Sequence, residues 1–95
     1  MKKVFLVLLM AAVTSLIVFA ATPIKIGAVL PLGDITGDQA AKAMRLAVSE
    51  INAEGGLLGR PLELIVIDDE MTPEKGAAAI SRLATVDRVD FLSVV

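Results

Sequence analysis

Three short apolar runs alternate with two segments of helical periodicity, and this order of elements restricts the fold more than any other feature of the chain. The runs cover residues 24–30, 62–67 and 91–95, and their length and β-branched content predict buried strands. Parallel neighbours need a crossover of a dozen or more residues, which both helical segments supply. Because such crossovers are right-handed in about 98% of cases, the chain is predicted to form a doubly wound parallel α/β sheet.

The first helical segment follows a loop of turn-forming residues, Pro31 to Asp38. We expect its start to be capped either by Thr36 together with Gln39 or by Asp38 alone, and its end to lie at Gly55-Gly56. Apolar residues recur along it with helical spacing and predict one buried stripe, formed by Ala40, Met44, Ala47, Val48 and Ile51.

The second helical segment has three concordant start signals. Thr72 is a cap, Pro73 suits the first helical position, and Glu74 is an acid near the positive helix terminus. We expect this helix to run to about Ala84. Its apolar stripe is predicted to contain Ile80, Leu83 and Ala84, with Gly76 or Ala77.

The first twenty residues are predicted to be a cleaved export signal. Lys2 and Lys3 form a positive start, a nearly continuous apolar run follows, and Val18-Phe19-Ala20 suits cleavage after Ala20. The alternative is an uncleaved anchor, because a spanning helix needs about 20 apolar residues. The chain has no Cys for lipid attachment, so a periplasmic or secreted protein is expected. We therefore expect two parts. Residues 1–20 form the export signal, and residues 21–95 form the start of a lobe, which is incomplete because the chain is truncated after the third strand.

The composition excludes several functional classes. Because the chain contains neither His nor Cys, it lacks the usual general base, the usual zinc ligands and any cysteine nucleophile. A net charge of −2 disfavours nucleic acid as a partner. We therefore expect no enzyme activity, no cofactor and no metal site. The acids at 68–70 are interpreted as turn chemistry, since consecutive acids seldom converge on one cation, and Arg60 is interpreted as a solvated turn residue.

A ligand is expected at the carboxyl ends of the strands, where crossovers leave in opposite directions. The loop after the first strand forms one wall of that crevice. In this loop Asp34 can pair with an ammonium group, Thr36 offers a hydroxyl, and Gly33 and Gly37 allow close approach to backbone N–H groups. Each residue also has a purely structural interpretation as part of a turn or cap. The loop lacks the G-x-G-x-x-G pattern of dinucleotide-binding enzymes.

Three blocks of sequence form a specific combination: KIGAVLPL at 25–32, AVSEINAEGGLLGRPLEL at 47–64, and DD at 68–69 followed by PEKGA at 73–77. With these blocks the chain resembles the leucine-type, branched-chain amino-acid binding proteins, which are periplasmic solute receptors of ABC transporters. The resemblance implies two doubly wound lobes that close over a small polar ligand, with strand one between strands two and three. The loop at 31–37 is shorter than the family's usual loop and lacks its aromatic residue.

The resemblance implies a non-enzymatic solute-binding protein that carries a branched-chain amino acid, another amino acid or an amide to a membrane permease. The family's main ligand contacts follow strand three, so only Asp34 and Thr36 are candidate contacts, by their position in the loop. Two alternatives remain open. One is the extracellular sensing domain of a receptor with the same lobes, and the other is a Rossmann-like enzyme.

Overall fold

The structure, a computed structural model, describes residues 21–95. The predicted export signal and its alternative, the membrane anchor, lie outside the described residues. The three strands and two helices predicted from the sequence are confirmed, in the order β1, α1, β2, α2, β3. Their bounds are Ile24–Leu30 for β1, Ile35–Ala53 for α1, Leu62–Asp68 for β2, Pro73–Thr85 for α2 and Phe91–Val94 for β3.

The sheet is parallel and has the strand order β2-β1-β3, which confirms the predicted fold class. Leu30 lies opposite Asp68, so β1 and β2 end at the same level. The chain moves from β1 to one side and then crosses back over β1 to reach β3. Two crossovers of the same hand in opposite directions place their helices on opposite faces of the sheet.

Alternate residues of β1 build two separate hydrophobic clusters, one on each face. On the α1 face, Ala28 and Leu30 are fully buried against Ala41. On the α2 face, Val29 is buried together with Leu83. A central strand with apolar residues on both faces explains why the run 24–30 is almost continuously hydrophobic.

The stripe predicted for α1 is partly wrong. Ala40 and Met44 pack against the sheet cluster as expected, but Ala47 and Ile51 are exposed. The inward face instead starts at Gly37 and continues in helical register through Ala41, Met44 and Val48. The helix begins earlier than predicted, at Ile35, and Gly37 in its first turn faces the Pro31 carbonyl. The buried face of the helix is therefore rotated relative to the predicted stripe. On α2, Leu83 is buried and Ile80 packs on the cluster as predicted, whereas Ala84 is exposed.

The interpretation of Arg60 as a solvated turn residue is wrong. Its Nε donates to the Thr22 carbonyl at 2.9 Å and its Nη2 donates to the Pro23 carbonyl at 3.2 Å, so it ties the 57–60 turn to the entry of β1. Nearby, the Asn52 side chain pairs with both backbone groups of Leu62, at 2.7 Å and 2.9 Å. These contacts fix the end of α1 and the start of β2 at the amino edge of the sheet.

Among residues 21–95, neither helix is long and apolar enough to cross a membrane.

Candidate functional site

The carboxyl edge of the sheet contains the topological switch point. The connection that leaves β1 runs towards β2 on the α1 face, so the switch point lies between β1 and its other neighbour, β3. In open parallel sheets, ligands bind outside the carboxyl ends of the strands, where the crossovers diverge. Within the described residues the β1–α1 loop, Pro31–Asp34, borders this point, and the β2–α2 turn, Asp69–Thr72, lies on the side of β1 away from β3.

The β1–α1 loop is a single tight turn. The Asp34 N–H donates to the Pro31 carbonyl at 3.0 Å, which closes the turn, and α1 begins at the next residue. A Cβ added at Gly33 would have no neighbouring atom within 4 Å. Gly37 differs, because it is buried in the first turn of α1 and faces the Pro31 carbonyl. Of the two glycines in this region, Gly33 therefore leaves free space at the edge, and Gly37 serves helix packing.

The structure brings the two candidate ligand residues, Asp34 and Thr36, together. Asp34 is the N-cap of α1, and its Oδ2 accepts hydrogen bonds from the Thr36 N–H at 3.1 Å and from the Thr36 hydroxyl. The predicted caps, Thr36 with Gln39 or Asp38 alone, are therefore wrong. A cap residue must have extended backbone and reach the N–H groups of the next turn, and Asp34 meets both conditions with φ −101° and ψ 147°.

These contacts also set the charge of the loop. The hydrogen bond from the Thr36 hydroxyl, followed by that from the Thr36 N–H, lowers the pKa of Asp34 below its ordinary range. The carboxylate is thus ionised at neutral pH and occupies the positive end of α1. The anion that this helix terminus attracts is the chain's own side chain, so the loop presents negative charge to a ligand.

Stability should therefore depend on the ionisation of Asp34. The pKa of Asp34 is near 3.9 in the unfolded chain and lower in the folded chain. The ionised cap therefore stabilises the fold above about pH 4. This contribution disappears as the pH falls through the folded-state pKa. We expect the difference in melting temperature between wild type and Asp34→Asn, which keeps a capping side chain without the charge, to shrink between pH 7 and pH 3. Thermal denaturation of the intact protein measures it, and a difference independent of pH would contradict the assignment.

The acids at the end of β2 form the predicted turn contacts, and Asp68, the last residue of the strand, also binds a second loop. Asp68 Oδ1 accepts from the N–H groups of Leu32 and Glu70, and Asp69 Oδ1 accepts from the Met71 N–H at 2.8 Å. Glu70 forms an ion pair with Lys75. In residues 21–95 no three acidic side chains are grouped in a way that could hold a metal ion.

An open depression of about 580 Å³ adjoins the edge on the α2 side. It is mostly apolar and opens to solvent, so its shape selects no particular ligand. It is lined by Pro31, Asp69, Met71, Thr72, Pro73, Gly76, Ala77 and Ile80.

The role of Asp68 was not predicted from the sequence, which indicated only turn chemistry at 68–70. Its bond to Leu32 joins the end of β2 to the β1–α1 loop, 36 positions away in sequence. The only sequence signal for a residue that joins two loops in this way is a charge at the end of an apolar strand. The register of β1 with β2 is needed to identify the loop that Asp68 contacts.

Comparisons with known proteins agree with this geometry. A family model described as periplasmic binding protein matches residues 23–95. The chain is 37% identical to the Leu/Ile/Val-binding protein BraC3 of Rhizobium johnstonii over 67 residues, which are 67% of this chain and 18% of that protein. It is 30% identical over 92 residues to the Leu/Ile/Val-binding protein homolog 7 of Brucella abortus, covering 94% of this chain and 23% of the relative.

Two solved structures superpose well on the described residues. The substrate-binding protein LivJ of a Streptococcus pneumoniae branched-chain amino acid transporter, in complex with isoleucine, gives a TM-score of 0.71 at 30% identity, covering 75% of this chain and 21% of that one. An ABC transporter substrate-binding protein from Desulfitobacterium hafniense gives 0.65 at 37% identity, covering 75% and 21%. The chain spans about a fifth of the length of the curated relatives it matches.

Proposed function

The chain belongs to the periplasmic binding protein family, and from this premise we propose that it acts as the exported solute-binding component of an ABC transporter. The proposed ligand is a branched-chain amino acid or a related amino acid or amide. The names of the relatives support this class of ligand, since two are Leu/Ile/Val-binding proteins and one solved structure contains isoleucine. The proposed protein has no catalytic step and releases its ligand unchanged to a membrane permease.

The observation that carries this proposal is the position of the β1–α1 loop. It lies at the edge where doubly wound sheets bind ligands, and Gly33 leaves its surface uncovered. A ligand can approach the loop backbone there without displacing a side chain. The resemblance of the sequence to leucine-type binding proteins implies the same loop as a border of the cleft.

The charge of the loop suits the ammonium end of an amino acid. The Thr36 N–H and the Thr36 hydroxyl both donate to Asp34 Oδ2, so Oδ1 can accept from a ligand. The Thr36 hydroxyl donates to Asp34, and its oxygen still has acceptor capacity. We therefore propose Asp34 and Thr36 as contacts for the ligand ammonium group. The ligand carboxylate would need donors from another part of the protein, since this loop is negatively charged.

Calorimetry on the full-length protein after removal of any export signal tests the proposed function. We expect saturable binding, one ligand per protein, for at least one of L-leucine, L-isoleucine, L-valine or an amino-acid amide. Absence of binding to all of them, or turnover of a substrate, would contradict the proposal.

The substitution Gly33→Leu separates ligand contact from folding. Since no atom lies within 4 Å of a Cβ added at Gly33, we expect little change in melting temperature. A leucine there fills the space that the ligand approaches, and we expect affinity to fall at least 10-fold, equivalent to about 1.4 kcal/mol. Ser49→Leu, which adds the same side chain on the exposed side of α1, is the matched control and should leave affinity unchanged. Equal affinity of Gly33→Leu and wild type would exclude the loop from the binding site.

A further inference from the structure

We propose that Asp68 is a positioning residue for ligand binding, which holds the β1–α1 loop in the conformation that meets the ligand. This inference rests on the proposed function. Asp68 itself need not touch the ligand, because it acts on the loop that does.

The geometry of Asp68 places one carboxylate oxygen between two loops. Asp68 ends β2 and lies opposite Leu30 in the register, beside the point where the chain leaves β1. Its Oδ1 accepts from the Leu32 N–H at 3.1 Å and from the Glu70 N–H at 2.9 Å. The same oxygen therefore joins the β1–α1 loop to the β2–α2 turn across the carboxyl edge.

The bond from Leu32 to Asp68 holds the backbone in the middle of the loop, where the Leu32 side chain also packs against the cluster on the α1 face. The ends of the loop are fixed by the Asp34 N–H bond to Pro31 and by the packing of Gly37 against the Pro31 carbonyl. Without Asp68, the Leu32 N–H would lose its acceptor and the segment between these ends would gain freedom. Ligand binding would then have to order the loop, and the entropy lost in doing so weakens affinity.

Asp69 offers a matched comparison on the same segment. Its Oδ1 accepts from the Met71 N–H at 2.8 Å, a bond that stays within the β2–α2 turn. Asp68 and Asp69 are the same residue type, both are half-buried, and both bind backbone N–H groups. Only Asp68 has a side-chain bond to the β1–α1 loop. A general effect of removing an acid from this turn would therefore appear in both variants, and a positioning effect only at Asp68.

Calorimetric titration of the full-length protein with L-leucine, L-isoleucine and L-valine tests the inference. We expect Asp68→Ala to weaken affinity at least 10-fold and Asp69→Ala to change it less than 3-fold. Asp68→Asn keeps an oxygen at the same position and should bind within 3-fold of wild type. Asp68→Glu keeps the charge but moves the carboxylate by one methylene, and we expect it to bind more weakly than Asp68→Asn.

The outcomes separate this inference from the proposed function. Wild-type affinity in Asp68→Ala, or an equal loss in Asp69→Ala, would overturn the positioning role while leaving the proposed function in place. Tight binding by Asp68→Glu with loss in Asp68→Asn would also overturn it, because charge rather than position would then matter. If the wild-type protein binds none of the three, an amino-acid amide is titrated in their place, and absence of binding to it as well would overturn the proposed function and this inference together.

Discussion

Replacing Gly37 with alanine is expected to destabilise the protein by about 2–3 kcal/mol. A Cβ at this position would lie 2.5 Å from the Pro31 carbonyl carbon and closer still to its oxygen. Both sides of this contact are backbone, so no side chain can rotate away to relieve it. In an exposed helix interior the same substitution would be favourable by about 0.8–1.0 kcal/mol, and the clash must exceed that gain.

Gly33→Ala is the matched control, four residues earlier and in free space. Chemical denaturation of the full-length protein should give a free energy of unfolding within about 0.5 kcal/mol of wild type for Gly33→Ala, as for other surface changes, and a clear loss for Gly37→Ala. Similar stability of the two variants would show that the first turn of α1 can move away from Pro31.

Gly56→Ala is expected to cost about 3 kcal/mol, by two effects that add. The residue has φ +82°, a conformation that costs an L-residue about 1–2 kcal/mol. In addition, a Cβ would lie 2.7 Å from the Arg60 carbonyl carbon, again a contact with backbone. The Arg60 carbonyl accepts the Leu57 N–H at 2.8 Å and cannot shift without opening the turn that precedes β2.

Gly55→Ala carries only the first effect, the positive φ. Gly55 also has positive φ, +105°, but nothing lies within 4 Å of an added Cβ. Denaturation should therefore show a smaller loss for Gly55→Ala than for Gly56→Ala, and the difference measures the contact with Arg60. If Gly55→Ala were the more damaging change, backbone conformation alone would govern this turn.

The strands and the fold class could be predicted from the sequence because they depend on burial. Apolar β-branched runs such as 24–30 are stable only between two layers, and long connections leave only parallel pairing. The resemblance to leucine-type binding proteins, and the position of strand one between strands two and three that it implies, are also confirmed. The strands and the fold class follow from the local sequence, and the strand order follows from the combination of the three sequence blocks between 25 and 77.

The cap of α1 could not be predicted because several residues satisfied the same local rule. Asp34, Thr36 and Asp38 are all good capping residues, and the choice among them depends on where the chain leaves the turn. The burial of Gly37 against Pro31 places the helix start at Ile35. That contact joins the helix to the end of a strand, and no periodicity in the sequence reports it.

The contacts of Arg60 and Asp68 were missed for a related reason. Both side chains bind backbone groups of segments far away in sequence, at 22–23 and at 32. Such bonds are visible only once the register of β1 with β2 is known. Asp34 and Thr36, in contrast, were placed correctly at the carboxyl edge, since both follow the first strand directly. Their contact with a ligand stays a prediction.

The turn at 57–60 has a practical consequence for measuring ligand binding. Leu58 is 90% exposed and lies beyond the carboxyl end of α1, whose 19 residues span about 28 Å from the carboxyl edge of the sheet. The sequence contains no cysteine, so a thiol introduced at Leu58 would be the only one in residues 1–95. A fluorescent dye attached there would lie at the end of the sheet opposite the proposed cleft, where it would not obstruct a bound ligand.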